Sequence, residues 1–286
     1  MRIEAKHLTY IYGPGLPWEK RALSDVSFSI ESGEFIGLIG ETGSGKSTLV
    51  QILNGLLRPT EGTILLDGSD ISNRKVDLHR IRAQVGLVFQ FPEQQLFAET
   101  VGEDVAFGPK NLGVPKEEIG KRVDEALLKV GLRPQNLRDR SPFTLSGGEK
   151  RLVSIAGVLA MRPKVLILDE VTAGLDPKGK KEILARIQLL NRVEKATIIL
   201  VSHDMDEIAL LSQRILILRE GKLILEGSPV EIFAQAQDVR SAGLELPTLP
   251  RILSDLRCRG FQLPTAIFEI GEAARWIRKE LFRAAG

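Results

Sequence analysis

The chain has 286 residues, of which 43% are hydrophobic and 27% charged, and 39 basic and 37 acidic side chains leave a net charge of +2. These proportions are usual for a soluble globular protein and exclude a disordered chain, and the balanced charge gives no reason to expect nucleic acid as a partner. A chain of this length has room for one large domain and a smaller one.

The sequence carries no pattern for export or for crossing a membrane. The first seven residues, MRIEAKH, lack the apolar stretch of a secretion signal. The longest apolar runs are far shorter than the roughly 20 residues that cross a bilayer, so a membrane role would come through a partner. The single cysteine, Cys258, has no second thiol to pair with, and we expect a small, part-buried side chain in a reducing cytoplasm.

Short apolar runs alternate with helical patterns along the chain, which predicts an α/β fold with a mostly parallel sheet. After an alternating strand at Val26, Phe28 and Ile30, continuous runs rich in Val, Ile and Leu lie at residues 35–39, 85–89, 165–168, 197–201 and 215–218. Runs of this kind are typical of strands that are covered on both faces.

Apolar residues at helical spacing lie between these runs. One set is Leu49, Ile52, Leu53, Leu56 and Leu57, and a second is Ile119, Val123, Ala126, Leu127 and Val130. The segment from 91 to about 161 is mainly helical by this criterion and lies between two strands. We therefore expect a helical lobe that projects from the sheet.

A small second unit is expected at the carboxyl end. A helix from about Pro229 should close the main domain, which we place at residues 1–235. Glycines and prolines punctuate residues 236–286, with a helix predicted over 271–282. The apolar side chains of this tail are numerous for a segment of about 50 residues, which is marginal for an independent core, so we expect it to need a partner surface.

Residues 40–47 read GETGSGKS and match the phosphate-loop pattern G-x-x-x-x-G-K-[ST], between a predicted strand and a predicted helix. Glycines let successive backbone N–H groups point at phosphate oxygens, and the helix N-terminus adds partial positive charge. Lys46 is expected to reach the β- and γ-phosphates of ATP, and Ser47 to ligate Mg²⁺. The predicted nucleotide-binding residues of this loop are Gly40, Gly43, Ser44, Gly45, Lys46, Ser47 and Thr48.

An acidic pair, Asp169 and Glu170, directly follows the predicted strand at 165–168. Open α/β sheets place their ligands at the carboxyl ends of their strands. We expect Asp169 to hold Mg²⁺ through water and Glu170 to polarise the attacking water, a role worth roughly 10² to 10⁴ in rate for a positioned base.

The motif LSGG at residues 145–148, ahead of a helical run, resembles the signature of ATP-binding cassette proteins, and other phosphate-loop enzymes lack it. The resemblance implies that Ser146, Gly147 and Gly148 cap the γ-phosphate of ATP held by an opposite subunit, another use of helix N-terminal N–H groups. It therefore implies a dimer.

Further residues follow in the order of that family. Gln90 and His203 each follow a predicted strand, and Asp176 follows the acidic pair. The resemblance implies that Gln90 senses Mg²⁺ and the attacking water, that Asp176 contacts the partner subunit and that His203 touches the γ-phosphate. It also implies that Tyr12 stacks on adenine, with the neighbouring Tyr10 as the alternative.

Three stretches narrow the resemblance. They are similar to stretches of the ATPase subunits of energy-coupling factor transporters, which import vitamins or transition-metal ions. The stretches are residues 89–97 (FQFPEQQLF), 101–109 (VGEDVAFGP) and 156–161 (AGVLAM). These ATPases carry an extra carboxyl-terminal unit, here residues 236–286, for which we predict a role in holding two ATPase subunits together. Residues 90–97 are predicted to dock a helix of a membrane subunit.

That resemblance implies a set of partners. They are a second ATPase subunit, either the same chain or a paralogue, and an integral membrane coupling subunit with a substrate-binding subunit. It places the chain peripherally on the cytoplasmic face of the cell membrane. Two positions depart from the family pattern: Glu149 stands in place of Gln, and Val171 in place of Pro. Glu149 brings a carboxylate to a helix N-terminus, where it favours the helix but repels a neighbouring γ-phosphate.

Other functions of phosphate-loop proteins fit the sequence less well. A cassette ATPase of DNA repair or translation would need a long coiled-coil insertion or a second cassette, and the sequence has neither. A nucleotide-binding scaffold that no longer hydrolyses is disfavoured because Lys46, Asp169, Glu170 and His203 are all present. A GTPase or a small-molecule kinase would not explain the LSGG motif.

Overall fold

The computed structural model describes residues 1–73 and 76–284. Its strands, in chain order, are β1 Ile3–Tyr12, β2 Lys20–Ile30, β3 Phe35–Ile39, β4 Glu61–Leu66, β5 Ser69–Asp70, β6 Val85–Val88, β7 Val165–Asp169, β8 Thr197–Val201, β9 Arg214–Arg219 and β10 Lys222–Gly227. Its helices are α1 Lys46–Leu53, α2 Leu78–Gln84, α3 Val101–Asn111, α4 Lys116–Lys129, α5 Pro134–Leu137, α6 Gly147–Leu159, α7 Pro177–Glu194, α8 Met205–Leu211, α9 Pro229–Ala234, α10 Ala236–Ser241, α11 Thr248–Cys258 and α12 Ile270–Ala284.

The larger sheet has the strand order β10-β9-β3-β8-β7-β6 within the described residues. Strands β9, β3, β8, β7 and β6 are parallel, and β10 joins the β9 edge as an antiparallel hairpin. A smaller sheet, ordered β2-β1-β4-β5, is antiparallel. The predicted α/β class with a mostly parallel sheet is confirmed.

The continuous apolar runs are explained by cores on both faces of the larger sheet. In β3, Phe35 and Ile39 belong to one hydrophobic cluster, whereas Ile36 and Leu38 belong to the other. Successive side chains of a strand point to opposite faces, so a strand buried on both faces has no polar position. Strands β7 and β8 divide their side chains between the same two clusters.

Helices α3, α4 and α6 fall within residues 91 to about 161, the segment predicted to form a lobe, and they pack on one another. Helix α6 also contacts β6 and the 3₁₀ turn Pro92–Gln95, which connects the sheet to the lobe. Helix α1 ends earlier than the apolar spacing suggested, because Asn54 caps it and Gly55 adopts a φ of 74°. Leu56, which the spacing included, is 41% exposed.

The carboxyl-terminal tail divides its apolar side chains between two cores. One part belongs to the larger of the two clusters that cover the sheet, the one that contains Phe35 and Ile39 and is called the main cluster below. This cluster therefore continues past the boundary predicted at residue 235, through Val239, Ala242, Leu244 and Leu246. A separate cluster of α11, α12 and their connection contains the buried residues Leu253, Leu263, Ile267 and Ala273. The domain boundary stays a prediction.

Cys258 closes α11 and is exposed, so the expectation of a part-buried thiol was wrong. The reason is its position on the outer side of a helix that has only a small core to cover. Within residues 1–73 and 76–284, the helices are too short or too polar for any of them to span a bilayer.

Candidate functional site

The phosphate-loop residues lie between β3 and α1, as predicted, in a loop that only glycine fits at two points. A Cβ on Gly40 would lie 2.2 Å from the carbonyl oxygen of Leu218, and one on Gly45 would lie 2.6 Å from that of Ala22. Gly45 also has a φ of 106°, a conformation that side chains disfavour. The loop is therefore clamped between β9 and β2 by backbone contacts.

Lys46 is held inside this loop and is only 6% exposed. Its Nζ donates to the carbonyl oxygens of Gly40 at 2.7 Å and Glu41 at 2.9 Å. Burial lowers the pKa of Lys46, against the opposing pull of Glu170 and Asp169. The Ser44 hydroxyl, buried beside Gly40, has no hydrogen-bond partner in the part of the chain that the structure describes. A buried ammonium and an unpaired buried hydroxyl together suit an anion.

The acidic pair lies at the carboxyl end of β7, with Asp169 as its last residue and Glu170 directly after it, at the same edge of the sheet. Burial and the charge of Glu170 raise the pKa of Asp169 to about 6, while Lys46 and His203 lower it. Glu170 adopts a left-handed φ of 49°, and its N–H donates to the carbonyl oxygen of Val201 at 2.9 Å. This backbone conformation is costly for a non-glycine residue and is typical of functional sites.

Gln90, Glu170 and His203, the three predicted catalytic residues, meet at one carboxylate. The amide Nε2 of Gln90 donates to Glu170 Oε2 at 2.8 Å, and Nε2 of His203 lies 2.8 Å from Glu170 Oε1. They follow β6, β7 and β8, which are neighbours in the sheet. Parallel strands bring their carboxyl ends to one edge, and this explains how residues distant in sequence converge.

Tyr12 lies in a cleft beside the phosphate loop. Together with Gly43, Lys46 and Thr48 it lines a cavity of about 150 Å³, and its hydroxyl lies 3.2 Å from the Thr48 hydroxyl. Tyr10 packs against the core and meets the Tyr12 ring edge-on at 4.8 Å. Of the two tyrosines, Tyr12 is the one that faces the cleft.

The LSGG residues Ser146, Gly147 and Gly148 begin α6, at the surface of the helical lobe. Ser146 caps the helix: its Oγ accepts from the Glu149 N–H at 3.3 Å and donates to Glu149 Oε2 at 2.8 Å. The Ser146 backbone N–H also donates to Glu149 Oε2 at 2.9 Å, and this bond and the one from the Ser146 hydroxyl lower the pKa of Glu149. The unusual Glu149 thus completes a capping box, and its carboxylate lies beside the serine hydroxyl.

Asp176 also caps a helix, since its carboxylate accepts from the Gly179 N–H at 2.9 Å at the start of α7. Val171, the second departure from the family pattern, is fully buried in the main cluster. Its apolar side chain therefore fills core space where the family has Pro.

Arg151 was not predicted. It is 3% exposed, and its guanidinium donates to both carboxylate oxygens of Glu93, at 2.9 and 2.7 Å. It also donates to the carbonyl oxygens of Val171 at 2.9 Å and Ala173 at 2.8 Å. It therefore connects the signature helix to the segment after Glu170. The sequence did contain a signal for a buried Arg151: it lies four residues before the apolar Ile155, and this spacing puts both side chains on the same face of α6.

Burial would raise the pKa of Glu93, but the bond from Arg151 outweighs it and holds that pKa below its ordinary value. The Glu93–Arg151 pair is therefore ionised.

A second group that the sequence did not predict surrounds Glu207 of α8. The Glu207 carboxylate accepts a hydrogen bond from the hydroxyl of Ser202, the residue before His203.

Comparison with known proteins gives a consistent result. The family model described as "ABC transporter" matches residues 23–173. The "Energy-coupling factor transporter ATP-binding protein EcfA2" of Clostridium perfringens is 50% identical over 273 residues, 96% of each chain. The protein of the same name from Caldanaerobacter subterraneus subsp. tengcongensis is 51% identical over 281 residues, 98% of each chain.

Two solved structures agree with these relatives. The cbiO1 protein of Clostridium perfringens, described as part of the ABC transporter complex cbiONQ, superposes with a TM-score of 0.74 and 41% identity, covering 89% of this chain and 98% of that one. The dimeric cassette MJ0796, in a post-hydrolysis state with ADP and Pi, gives a TM-score of 0.70 and 30% identity, covering 79% and 98%.

Proposed function

The chain belongs to the ABC transporter family, and we propose that it is the ATP-hydrolysing subunit of an energy-coupling factor importer for a vitamin or a transition-metal ion. The observation that carries the enzymatic part is the Glu170 carboxylate, held at 2.8 Å on one oxygen by Gln90 and on the other by His203, at the sheet edge that carries the phosphate loop. The importer type rests on relatives at 50 and 51% identity over nearly the whole chain.

The loop residues are proposed to bind the phosphates of ATP, with Tyr12 beside the adenine. Support comes from the buried Lys46 ammonium, the unpaired Ser44 hydroxyl and the N-terminus of α1. These groups supply positive charge and donors at one point, as a polyphosphate requires. Thr48 fixes the Tyr12 ring at the edge of the cleft through its hydroxyl.

Mg²⁺ is proposed to be held by Ser47, by Asp169 through water and by Gln90. The donor set of hydroxyl, carboxylate and amide oxygens is the hard-oxygen type that this ion prefers. Burial and the charge of Glu170 raise the pKa of Asp169, and a bound cation would offset both by stabilising the ionised carboxylate. When bound, the ion neutralises charge on the phosphate oxygens.

The residues of this chain then divide the hydrolytic work. Glu170 acts as the general base that polarises the attacking water, and its two hydrogen-bond partners fix its orientation. His203, which shares the carboxylate, is proposed to reach the γ-phosphate. Gln90 joins this group to the lobe, because the 3₁₀ turn Pro92–Gln95 follows it and packs on α6.

A second ATPase subunit, the same chain or a paralogue, completes each site. Ser146, Gly147 and Gly148 stand at the surface at the N-terminus of α6, where they are proposed to cap the γ-phosphate held by the partner. Asp176, at the start of α7, is proposed to contact the partner. The tail of residues 236–286 is proposed to join the two subunits when no nucleotide is bound.

The membrane partner is proposed to dock on an apolar groove of the lobe. Phe97, 59% exposed, and Phe107 meet edge-on at 4.9 Å and line, with Met161, a groove of about 360 Å³. An exposed aromatic groove of this kind suits an apolar helix. Leu96 contributes less than the sequence suggested, because it is buried under the lobe. The integral coupling subunit, with its substrate-binding subunit, would place this chain on the cytoplasmic face of the membrane.

The experiment measures ATP turnover of the assembled complex in membranes. Glu170→Gln keeps the shape but removes the base, so ATP should bind while turnover drops about 100-fold or more. Lys46→Ala should abolish tight MgATP binding without unfolding the chain, and Lys178→Ala, an exposed lysine of α7, serves as the matched control. Unchanged turnover in Glu170→Gln, with the partner's site inactivated in parallel, would reject the role of Glu170.

Docking is tested separately by co-purification with the membrane subunits. The double change Phe97→Ser and Phe107→Ser should weaken retention of the chain on these subunits. Leu128→Ser, an equally exposed apolar position on α4, should not. Full retention of the double variant would count against this groove.

A further inference from the structure

Glu207 is a buried carboxylate that the hydrolytic scheme does not use. It lies in the first turn of α8 and is 3% exposed. Its Oε2 accepts two hydrogen bonds, from the Ser202 hydroxyl at 2.7 Å and from the Thr172 hydroxyl at 3.1 Å. A buried charge is costly unless it is paired and hydrogen-bonded, so a specific arrangement must hold it.

The two donors belong to the two segments that carry the reacting groups. Ser202 immediately precedes His203, and Thr172 follows Glu170 by two residues. Oε2 of Glu207 therefore joins the segment that carries His203 to the segment that carries Glu170. The same two segments also meet through their reacting side chains, because His203 Nε2 lies 2.8 Å from Glu170 Oε1.

Lys180 neutralises this group from α7. Its Nζ lies 2.9 Å from Glu207 Oε1 and also donates to Asp204 Oδ2. Burial would lower the pKa of Lys180, but the two carboxylates raise it above its ordinary value, so the ammonium stays charged. Asp204, the residue after His203, caps α8 by accepting from the N–H groups of Asp206 at 2.9 Å and Glu207 at 3.0 Å.

His203 is thus fixed on both sides: Ser202 before it binds Glu207, and Asp204 after it binds Lys180 and the start of α8. Lys180 stands one turn after Asp176, the residue proposed to contact the second subunit. The cluster therefore connects that contact to the position of the imidazole.

We propose that Glu207 is a positioning residue for ATP hydrolysis, which holds His203 against Glu170, and that Lys180 links it to the subunit contact at Asp176. The inference rests on the roles proposed above for Glu170 and His203. Stability alone would not require the ion pair, since well-packed apolar residues often replace a buried pair at no loss.

The first test observes the imidazole directly in the full chain. The protein has three histidines, so isotope-labelled histidine gives few ring signals, and replacement of His7 and His79 assigns that of His203. Glu207→Gln keeps the size but places an amide against the Lys180 ammonium, and we expect it to shift the His203 ring signals. Glu182→Gln, an exposed change on α7, should leave them in place.

The second test is a double-mutant cycle on the ATPase activity of the assembled complex. Glu207→Gln should lower kcat about tenfold with the KM for ATP within about twofold, because it disturbs orientation and not binding. In a His203→Gln background the same change should cost less than about twofold, since the residue it positions is gone. Lys180→Met should follow Glu207→Gln, and the exposed Lys181→Met should match the parent.

Equal fold losses in both backgrounds, or unshifted His203 signals, would overturn the proposal. Thr172→Val removes one donor and keeps the shape, so it should shift the His203 signals in the same direction even when Glu207→Gln does not fold. Should His203→Gln hydrolyse ATP as fast as the parent, the role proposed for His203 fails instead, while the ring signals still judge the positioning.

Discussion

The nucleotide edge of the sheet and the carboxyl-terminal helices differ in how their side chains are supported. At the edge, the predicted groups have hydrogen-bond or ion-pair partners in the same chain: Lys46 bonds to two carbonyls, and Glu170 pairs with Gln90 and His203. In the tail, α11 and α12 share a small core, and Ile270, Leu281 and Phe282 are exposed. These contacts at the edge form within one chain, whereas the tail leaves apolar surface for another.

Size explains the difference. The edge rests on two clusters that cover both faces of a large sheet, and such cores hold side chains in fixed positions. A segment of about 50 residues buries too little surface to be stable by itself. The comparison therefore predicts a large stability loss where a buried hydrogen-bonding partner near the edge is removed, and association losses from changes in the tail.

The largest effect is expected from Arg151→Met. The change leaves the part-exposed Glu93 without its partner and the carbonyl oxygens of Val171 and Ala173 without their donor, so the free energy of unfolding should fall by about 3 kcal/mol. Urea denaturation measures it. Arg162→Met, at the half-exposed pair with Glu125, should cost no more than about 1 kcal/mol. Equal losses for the two variants would contradict the buried-support argument.

The next effect concerns association. Leu281→Ser with Phe282→Ser removes exposed apolar surface of α12, where Phe282 is 74% exposed. If the second subunit covers these side chains, each contributes on the order of 1.5 kcal/mol or more, and the nucleotide-free pair should dissociate at least about tenfold more readily. Analytical ultracentrifugation with the usual partner measures this, while MgATP affinity should not change.

The control for the tail is Arg275→Ser, an exposed polar position on the same helix. Substitution is cleaner than truncation after Ala236, because truncation would remove Val239, Leu244 and Leu246 from the main core. A double variant that stays as dimeric as the parent would reject the tail as the connection.

A smaller effect is expected from Asp169→Asn in the nucleotide-free chain. The folded pKa of about 6 lies above the ordinary value of about 3.9, so the folded state prefers the protonated acid. This stabilising preference is present below about pH 4 and lost as the pH rises through about 6. The variant should be more stable than the parent by on the order of 1 kcal/mol at pH 7.5, and bind MgATP more weakly.

Denaturation curves at two pH values check that prediction, because the gain should shrink toward pH 4.5. A variant less stable than the parent at pH 7.5 would show that Asp169 supports the fold and does not strain it.

The smallest effect is expected from Glu149→Gln. Glutamine also completes a capping box with Ser146, so the free energy of unfolding should change by less than about 0.5 kcal/mol. Loss of a carboxylate near the partner's γ-phosphate should raise turnover of the assembled complex a few-fold at most. Lower turnover would mean that the Glu149 carboxylate helps the site.

Sequence patterns predicted the sheet, the lobe and the motifs because each depends on local residue types: apolar runs for buried strands, glycines with a lysine for a phosphate loop. Family resemblance identified the ABC transporter family, and the comparisons confirmed it. The roles of the individual site residues stay predictions. The exposure of Cys258 and the end of helix α1 were predicted wrongly, because exposure and helix capping depend on neighbours that residue spacing does not reveal.

The sequence by itself therefore determined the alternation of apolar strands with helices and the phosphate-loop pattern, and it supplied the predicted residues of the site. Only the tertiary structure decided that Arg151 would reach Glu93, and that Glu207 would bond to Ser202 and Thr172. Thr172 and Glu207 are 35 residues apart in the chain. Such pairs form because parallel strands bring their ends to one edge, and low-dielectric burial makes each charge there depend on its particular partner.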